Sequence, residues 1–371
     1  MGLRRGRSGL GLLVLACLLL GSQLPATAMA PDPGQGEVGL RIALDSMRQL
    51  ATDSRSNQGQ RSTTTPRRGL PVQLGRDGRL TVLLIGSDWR PDSGGERLDV
   101  LMVATIDPTT GEAALVSIPR DMSGIPLADG SNSGGTRVNS IYYLRYRDPT
   151  LSHAALDRDG LKKFSKDIGA LLGTEIDYWA LTRFGTFANL VNTLGGVRVD
   201  VEEEVLDTSY HHGSSRGVWF PVQDDYTLKG DPKCKPKPKK CHSALVYARS
   251  RHGTMGGEYN SDYRRAERQQ DIVRSAIKAV LDDRGAGVAL LGTLLRVRDL
   301  VETNIPKTVE SAGQLYALLE KLKLPETNMK VLAPATWAGA AGDGTIKPDL
   351  PAIRDWVDKH FARVSDKRPR A

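Results

Sequence analysis

From Leu80 onward the chain alternates short apolar, β-branched runs with segments of helical period, and this alternation constrains the fold more than any other feature. Leu80 to Ile85 reads as a buried strand that runs out into Gly86-Ser87-Asp88. Leu98 to Ile106 and Ala113 to Ile118 make two more strands, and the turn signature Asp107-Pro108-Thr109-Thr110-Gly111-Glu112 between them predicts a hairpin. Leu161, Phe164, Ile168, Leu171 and Leu172 recur at helical spacing and predict a helix over Leu161 to Leu172. Strands at Asp177 to Leu181 and Val197 to Val201 bracket a helix from Phe184 to Leu194. A long helix over Asp262 to Leu281, another over Gln314 to Leu322, a strand near Met329 to Leu332 and a last helix over Asp349 to Phe361 complete the pattern. The expected architecture is α/β, with a mixed central β-sheet flanked by helices in one domain over residues 79–362.

The residues before that domain have a different character. Arg4, Arg5 and Arg7, an apolar run from Leu10 to Leu20 and then Ala28-Met29-Ala30 have the layout of a secretory signal peptide over residues 1–30. The apolar run is short for a bilayer span, so a cleaved leader is favoured over an uncleaved anchor. Residues 31–78, rich in Gly, Gln, Ser, Thr and Arg, read as a linker with one short helix over Glu37 to Leu50, and residues 363–371 as a basic tail. With 39% apolar and 25% charged residues among 371, the chain is neither a disordered polymer nor a multi-span membrane protein.

The net charge of +8 points to an anionic partner. Most of the excess lies in the leader, the linker and one stretch, Lys233-Cys234-Lys235-Pro236-Lys237-Pro238-Lys239-Lys240-Cys241, so the rest of the domain is nearly neutral. A small anionic group therefore suits the domain better than a nucleic-acid backbone. The same lysines are either a solvated loop or a contact for an anionic polymer or membrane surface. Cys234 and Cys241, in an exported chain, are expected to close that loop as a disulfide, with two free thiols as the alternative.

Asp88 and Asp99 flank the stretch Trp89 to Leu98 at strand ends, where α/β proteins place sites, and two such carboxylates can hold one hard cation. Arg120 follows a strand in Ser117-Ile118-Pro119-Arg120-Asp121, and Arg137 stands in Arg137-Val138-Asn139-Ser140. Arg249 and Arg251 fall on one side if Tyr247 to Arg251 is extended. Arg265, Arg268 and Gln269 share one face of the long helix. Several guanidinium forks beside two carboxylates suit a diphosphate, which arginine binds bidentately and a divalent ion bridges. There is no H-E-x-x-H or G-x-x-x-x-G-K-[ST], the six histidines form no metal-spaced set, and the one G-x-S-x-G, Gly213 to Gly217, runs into Val218-Trp219-Phe220-Pro221 rather than a helical segment, which removes the zinc proteases and P-loop NTPases and disfavours the serine hydrolases.

In order and spacing, Gly86-Ser87-Asp88, Arg97-Leu98-Asp99, Ser117-Ile118-Pro119-Arg120-Asp121, Arg137-Val138-Asn139-Ser140, Leu194-Gly195-Gly196-Val197, Tyr247-Ala248-Arg249-Ser250-Arg251 and Asp262-x-x-Arg265-x-x-Arg268-Gln269 together resemble the LytR-CpsA-Psr family. The resemblance runs from about Leu80 to Leu281 and implies a single catalytic domain on the extracytoplasmic or periplasmic side. It implies transfer of a phosphoglycan from a polyprenyl-pyrophosphate-linked glycan to peptidoglycan or another envelope acceptor, at the membrane surface and with Mg2+. Position by position, Asp88 and Asp99 match the family's metal carboxylates. Arg120, Arg137, Arg249, Arg251, Arg265 and Gln269 match its pyrophosphate groups, with Arg268 beside them, and Arg120, Arg249 and Arg251 are the expected catalytic groups. Arg97 is expected to support the loop. Trp179, Phe184, Phe187, Leu190 and Val191 are expected to line a slot for the lipid, although core packing accounts for them equally.

Arg264 stands where the family often has Gly, Arg183 where it often has Asp, and the lysine stretch is an insertion. These departures touch the choice of glycan and acceptor. The rival readings are a non-catalytic binder of polyprenyl-pyrophosphate glycans, a prenyl-pyrophosphate pyrophosphatase, and a transcriptional regulator. The last requires a cytoplasmic helix-turn-helix, which neither the leader nor the motifs favour.

Overall fold

A computed structural model describes residues 78–361, apart from 90–95, 153–154, 213–214, 235–239, 252–259, 283–299, 307–313, 315–317, 319–320, 334–336 and 341–343. The leader, the linker, the basic tail, the middle of the lysine stretch and most of the helix expected at Gln314 to Leu322 lie outside the described residues.

The three apolar runs form β1 (Leu80–Ser87), β2 (Leu98–Ile106) and β3 (Ala113–Ser117), paired antiparallel in sequence order. The turn between β2 and β3 closes as expected, with the Asp107 carboxylate accepting from the Thr109 and Thr110 amides. After a four-residue helix α1 (Val138–Ile141), which runs on into a π turn over Tyr142–Tyr146, comes α2 (Arg158–Leu172). Asp157 caps α2 by accepting from the Gly160 amide, and Gly173 ends it in the left-handed conformation at φ 73°. The buried face of α2 is Leu161, Phe164, Ile168, Leu171 and Leu172, the positions that the periodicity picks out.

Strand β4 (Tyr178–Arg183) returns parallel to β1, and α3 (Phe184–Thr193) follows it directly. With the short strands β9 (Glu302–Thr303) and β10 (Met329–Val331), the six-stranded order is β10-β3-β2-β1-β4-β9, a mixed sheet. Its core gathers Leu83, Ile85, Val103, Val116 and Trp179 against α2 and the last helix, α6 (Leu350–Phe361).

A second layer differs from the single sheet expected. Strand β5 (Val197–Val201) pairs with β8 (Gln223–Leu228), and β6 (Val205–His212) with β7 (Ser215–Phe220), as two ribbons outside the main sheet. Their core is Val197, Val199, Phe220, Tyr226 and Leu228 together with the Cys234–Cys241 disulfide, so the two cysteines pair as expected. From Cys241 the chain enters a six-residue helix, α4 (Ala244–Arg249), capped by Ser243, whose side chain accepts from the Val246 amide. The long helix α5 (Asn260–Asp282) joins the layers: Tyr263 packs into the sheet core, while Ile272 and Ala276 pack into the ribbon core. Gln270 pins α5 to the sheet by donating to Ser117 Oγ at 2.7 Å and to the Lys330 carbonyl at 2.8 Å.

A further two-stranded piece, β11 (Ala338–Ala340) with β12 (Ile346–Pro348), lies beside the loop after β3, where the Ile346 amide donates to the Asp121 carbonyl.

Candidate functional site

A cavity of about 390 Å³ opens where the two layers meet. Its apolar wall comes from α3, α4 and α5 and includes Phe184, Phe187, Leu190, Val191, Leu245 and Ile272. Asp99, Arg183, Arg249, Arg251, Arg265 and Gln269 supply its polar side. Four of the five side chains expected to line a lipid slot are therefore there. Trp179 is not: it is 1% exposed on β4 and belongs to the core of the central sheet. Alternation explains this, because successive strand residues face opposite ways and Ala180 takes the cavity side.

The expectation of extended chain at Tyr247 to Arg251 is corrected. Arg249 ends helix α4, and Ser250 turns the chain so that Arg251 follows in the cavity wall. The turn is held by Asp207, 2% exposed, whose Oδ2 accepts from Ser250 Oγ at 2.8 Å and from the Arg251 amide at 3.1 Å. Arg249 lies over the Phe184 ring at 4.3 Å and the Tyr210 ring at 5.8 Å, a cation–π cradle that orients its fork.

The other arginines are held by carboxylates. Arg120 Nη1 donates to Asp99 Oδ1 at 3.2 Å, and its Nε lies 3.4 Å from Asp121 and 3.6 Å from Asp262. Asp262, in the first turn of α5, also faces Arg265 at 3.2 Å and Arg251 at 3.7 Å, while Asp121 faces Arg137 at 3.4 Å. Four arginines and three aspartates thus form one network beside the cavity, with Arg249 just outside it.

The titrations follow from this crowding. Burial lowers Arg265 to about 10; Asp262 holds it up, while Arg120 and Arg251 push it further down. Burial also raises the Asp121 carboxyl, helped by a hydrogen bond shared with Asp262. Burial acts the same way on Asp262, but Arg265, the Asp121 bond, Arg120 and Arg251 outweigh it and hold Asp262 below the usual carboxylate range. Of this acid pair, Asp121 is therefore the member biased toward the protonated form.

Arg268 and Gln269 do something different from gripping a ligand in this structure. Arg268 donates to the Tyr247 and Ser250 carbonyls and Gln269 to the Ala248 carbonyl at 2.9 Å, so both tie α5 to α4. Gln269 still lines the cavity. Arg137 is the most open of the set, with 47% of its side chain exposed.

Asp88 and Asp99 stand at the ends of neighbouring strands. Gly86 allows the close approach there, since a Cβ on it would come within 2.8 Å of the Val100 side chain. Asp88 Oδ1 accepts from the Arg97 amide at 2.7 Å, so Arg97 supports the loop through its backbone, while Asp99 Oδ1 accepts from Arg120 and from Asn139 Nδ2 at 3.2 Å. No group of three or more His, Cys, Asp or Glu suited to a metal occurs among the described residues. Two hard carboxylates with a second oxygen each are the donor set that Mg2+ accepts when water and ligand oxygens complete its shell, so the residues fit that ion.

Asp121, Asp262, Asn139 and Arg183 are site groups that the motif reading leaves without a role. Asp262 has a readable signal, an acid three residues before an arginine at a helix start.

Among curated proteins, the chain is 24% identical over 292 residues to the polyisoprenyl-teichoic acid--peptidoglycan teichoic acid transferase TagV of Bacillus subtilis, covering 77% of this chain and 66% of that protein. It is 25% identical over 241 residues to TagU of Halalkalibacterium halodurans, covering 65% of this chain and 66% of that one. The chain thus spans 66% of the length of each relative. The crystal structure of B. subtilis TagV superposes with a TM-score of 0.54 at 22% identity, over 77% of this chain and 98% of that one, which is a likeness of fold. The model of the LytR_cpsA_psr family matches residues 43–336, and with the motifs gathered at this cavity the chain belongs to the LytR-CpsA-Psr family.

Proposed function

We propose that the protein is an extracytoplasmic transferase that moves a phosphoglycan from a polyprenyl-pyrophosphate carrier to a hydroxyl of peptidoglycan or another envelope acceptor. The observation that carries this reading is the shape of the cavity, apolar along Phe184, Phe187, Leu190 and Val191 and cationic where Arg249, Arg251 and Arg265 converge. A prenyl chain ending in a diphosphate has the same division. The relatives named as teichoic acid transferases support the reaction class. No helix among the described residues is long and apolar enough to cross a membrane.

In the proposed reaction the acceptor oxygen attacks the glycan-bearing phosphorus. The new O–P bond forms as the P–O bond to prenyl phosphate breaks, and the hydroxyl proton is taken up by the departing prenyl phosphate. Arg249 and Arg251, fixed from α4, and Arg265, fixed from α5, would hold the diphosphate oxygens, with Arg120 behind them keeping Asp99 in place. Phosphoryl transfer depends mainly on positioning and charge neutralisation, which these forks provide. Asp88 and Asp99 would hold Mg2+, which supplies further charge neutralisation on the diphosphate. Arg137, open to solvent, would meet the glycan side, and Arg268 and Gln269 would act by fixing α4 against α5.

The test is incubation of the purified protein with a polyprenyl-pyrophosphate oligosaccharide and peptidoglycan, with Mg2+ or with EDTA. EDTA, Asp99→Ala and Arg120→Ala are each expected to lower transfer at least about 100-fold while the circular dichroism spectrum is kept. Full transfer by both variants would overturn the assignment, and tight binding of the carrier without turnover would favour a non-catalytic binder.

A further inference from the structure

Arg183 belongs to none of the groups assigned above, yet it lines the cavity at the end of β4, where the parallel register sets it beside Ser87 of β1. Its guanidinium lies over the Trp89 ring at 4.5 Å, and its Nε is 3.6 Å from Glu96 Oε1. Glu96 is 2% exposed and accepts from Ser87 Oγ at 2.5 Å, and Ser87 Oγ in turn accepts from the Trp89 amide at 3.1 Å. Arg183, Glu96, Ser87 and Trp89 therefore close a ring.

That ring encloses the two ends of the connection between β1 and β2. Asp88 lies between Ser87 and Trp89, and Arg97 follows Glu96. Asp88 and Arg97 exchange hydrogen bonds, the Asp88 amide to the Arg97 carbonyl at 3.0 Å and the Arg97 amide to Asp88 Oδ1 at 2.7 Å. Asp99 is two residues further along β2. Without the guanidinium, Glu96 would be a buried carboxylate with no ion-pair partner among the described residues, which a protein relieves by protonating it or moving it toward water. Either course loosens the backbone that carries Asp88 and leads into Asp99.

We infer that Arg183 is a positioning residue for the cation site: by clamping Trp89 and Glu96 from the neighbouring strand it sets the geometry of Asp88 and Asp99 for a divalent ion. The inference rests on the reading of those two carboxylates as cation ligands. It separates cleanly from a charge effect, because removing a nearby positive charge should by itself tighten cation binding, whereas losing the clamp should weaken it.

Mn2+ binding to the full chain, followed by electron paramagnetic resonance without any glycan substrate, tests this. Arg183→Ala and Glu96→Gln are each expected to weaken Mn2+ binding about ten-fold. The double variant should be no weaker than the worse single one, because both act through one ring. Hydrogen exchange of the peptide spanning residues 86–98 should quicken in each variant, while peptides from α2 stay unchanged. Unchanged or tighter Mn2+ binding by Arg183→Ala, with the wild type binding normally, would overturn the inference and leave the cation reading standing. Absence of Mn2+ binding by the wild type would overturn both.

Discussion

The sheet layer and the ribbon layer reach similar burial by different means. In the sheet, β1, β2, β3 and β4 pair side by side, and Leu83, Val103, Val116 and Trp179 are all at most 1% exposed. In the other layer each ribbon has two strands, which alone would be marginal in water. It gains its order from the Cys234–Cys241 bridge and from edge-on aromatic packing of Phe220 on Tyr247 at 5.0 Å and on Tyr226 at 6.4 Å. The difference maps onto the site. The sheet layer supplies Asp88, Asp99 and Arg120 at or just beyond strand ends, whereas Arg249 arrives at the end of a six-residue helix continuous with the stapled segment, and Arg251 just after it. The two sides of the site are thus delivered by parts of the molecule with different sources of rigidity.

The contrast can be broken from either side. Trp179→Ala removes a fully buried side chain from the sheet core and should cost about 3 to 5 kcal/mol in urea denaturation, without changing the apolar wall of the cavity. Reducing the disulfide, or making Cys241→Ser, should cost less, about 2.5 kcal/mol for so short a loop. Its signature should instead be local, with faster hydrogen exchange in α4 and the ribbons than in β1 to β4. The smallest effect concerns α5, the helix shared by both layers. Burial lifts the Asp271 carboxyl to about 6 from its ordinary 3.8, although Arg274 at 3.1 Å opposes this. A carboxyl with a raised folded pKa destabilises the fold above that pKa and does not below its unfolded one. Asp271→Asn should therefore match wild type near pH 4 and become more stable as pH rises through 6. The full linkage would be roughly 3 kcal/mol, and the water still reaching this side chain reduces the expected gain to about 1.

The two layers were also unequally legible in the sequence. Buried, β-branched runs such as Leu80 to Ile85 announce central strands because both faces are covered. Thr208-Ser209-Tyr210-His211-His212 and Gln223-Asp224-Asp225 lie in strands of the ribbon layer, yet they show neither a continuous apolar run nor a clean alternation, so β6, β7 and β8 leave no signal. Helix α4 escapes notice because six residues are too few for a periodicity, although Ser243 just before Ala-Leu-Val is a cap that could have marked it. In the site, motif order picks out the arginines and the strand-end acids. It does not reveal that Asp262 holds three of the arginines, or that Arg268 serves the backbone, because both depend on how α4 crosses α5. Trp179 could not be told from Ala180 as a cavity residue until the orientation of β4 was known.

The paired network beside the cavity has a consequence for how an anion would enter. Arg120, Arg137, Arg251 and Arg265 are paired with Asp99, Asp121 and Asp262 within the protein itself. An incoming phosphate therefore does not simply fill a positive hole; it must take guanidinium donors from carboxylates. Those carboxylates then need a proton or a cation of their own, and Asp121, already biased toward protonation, is the readiest to take one. On the proposed function, anion capture at this mouth would be a relay in which proton and metal uptake accompany the ligand, and its affinity should vary more with pH and divalent cation than with bulk salt.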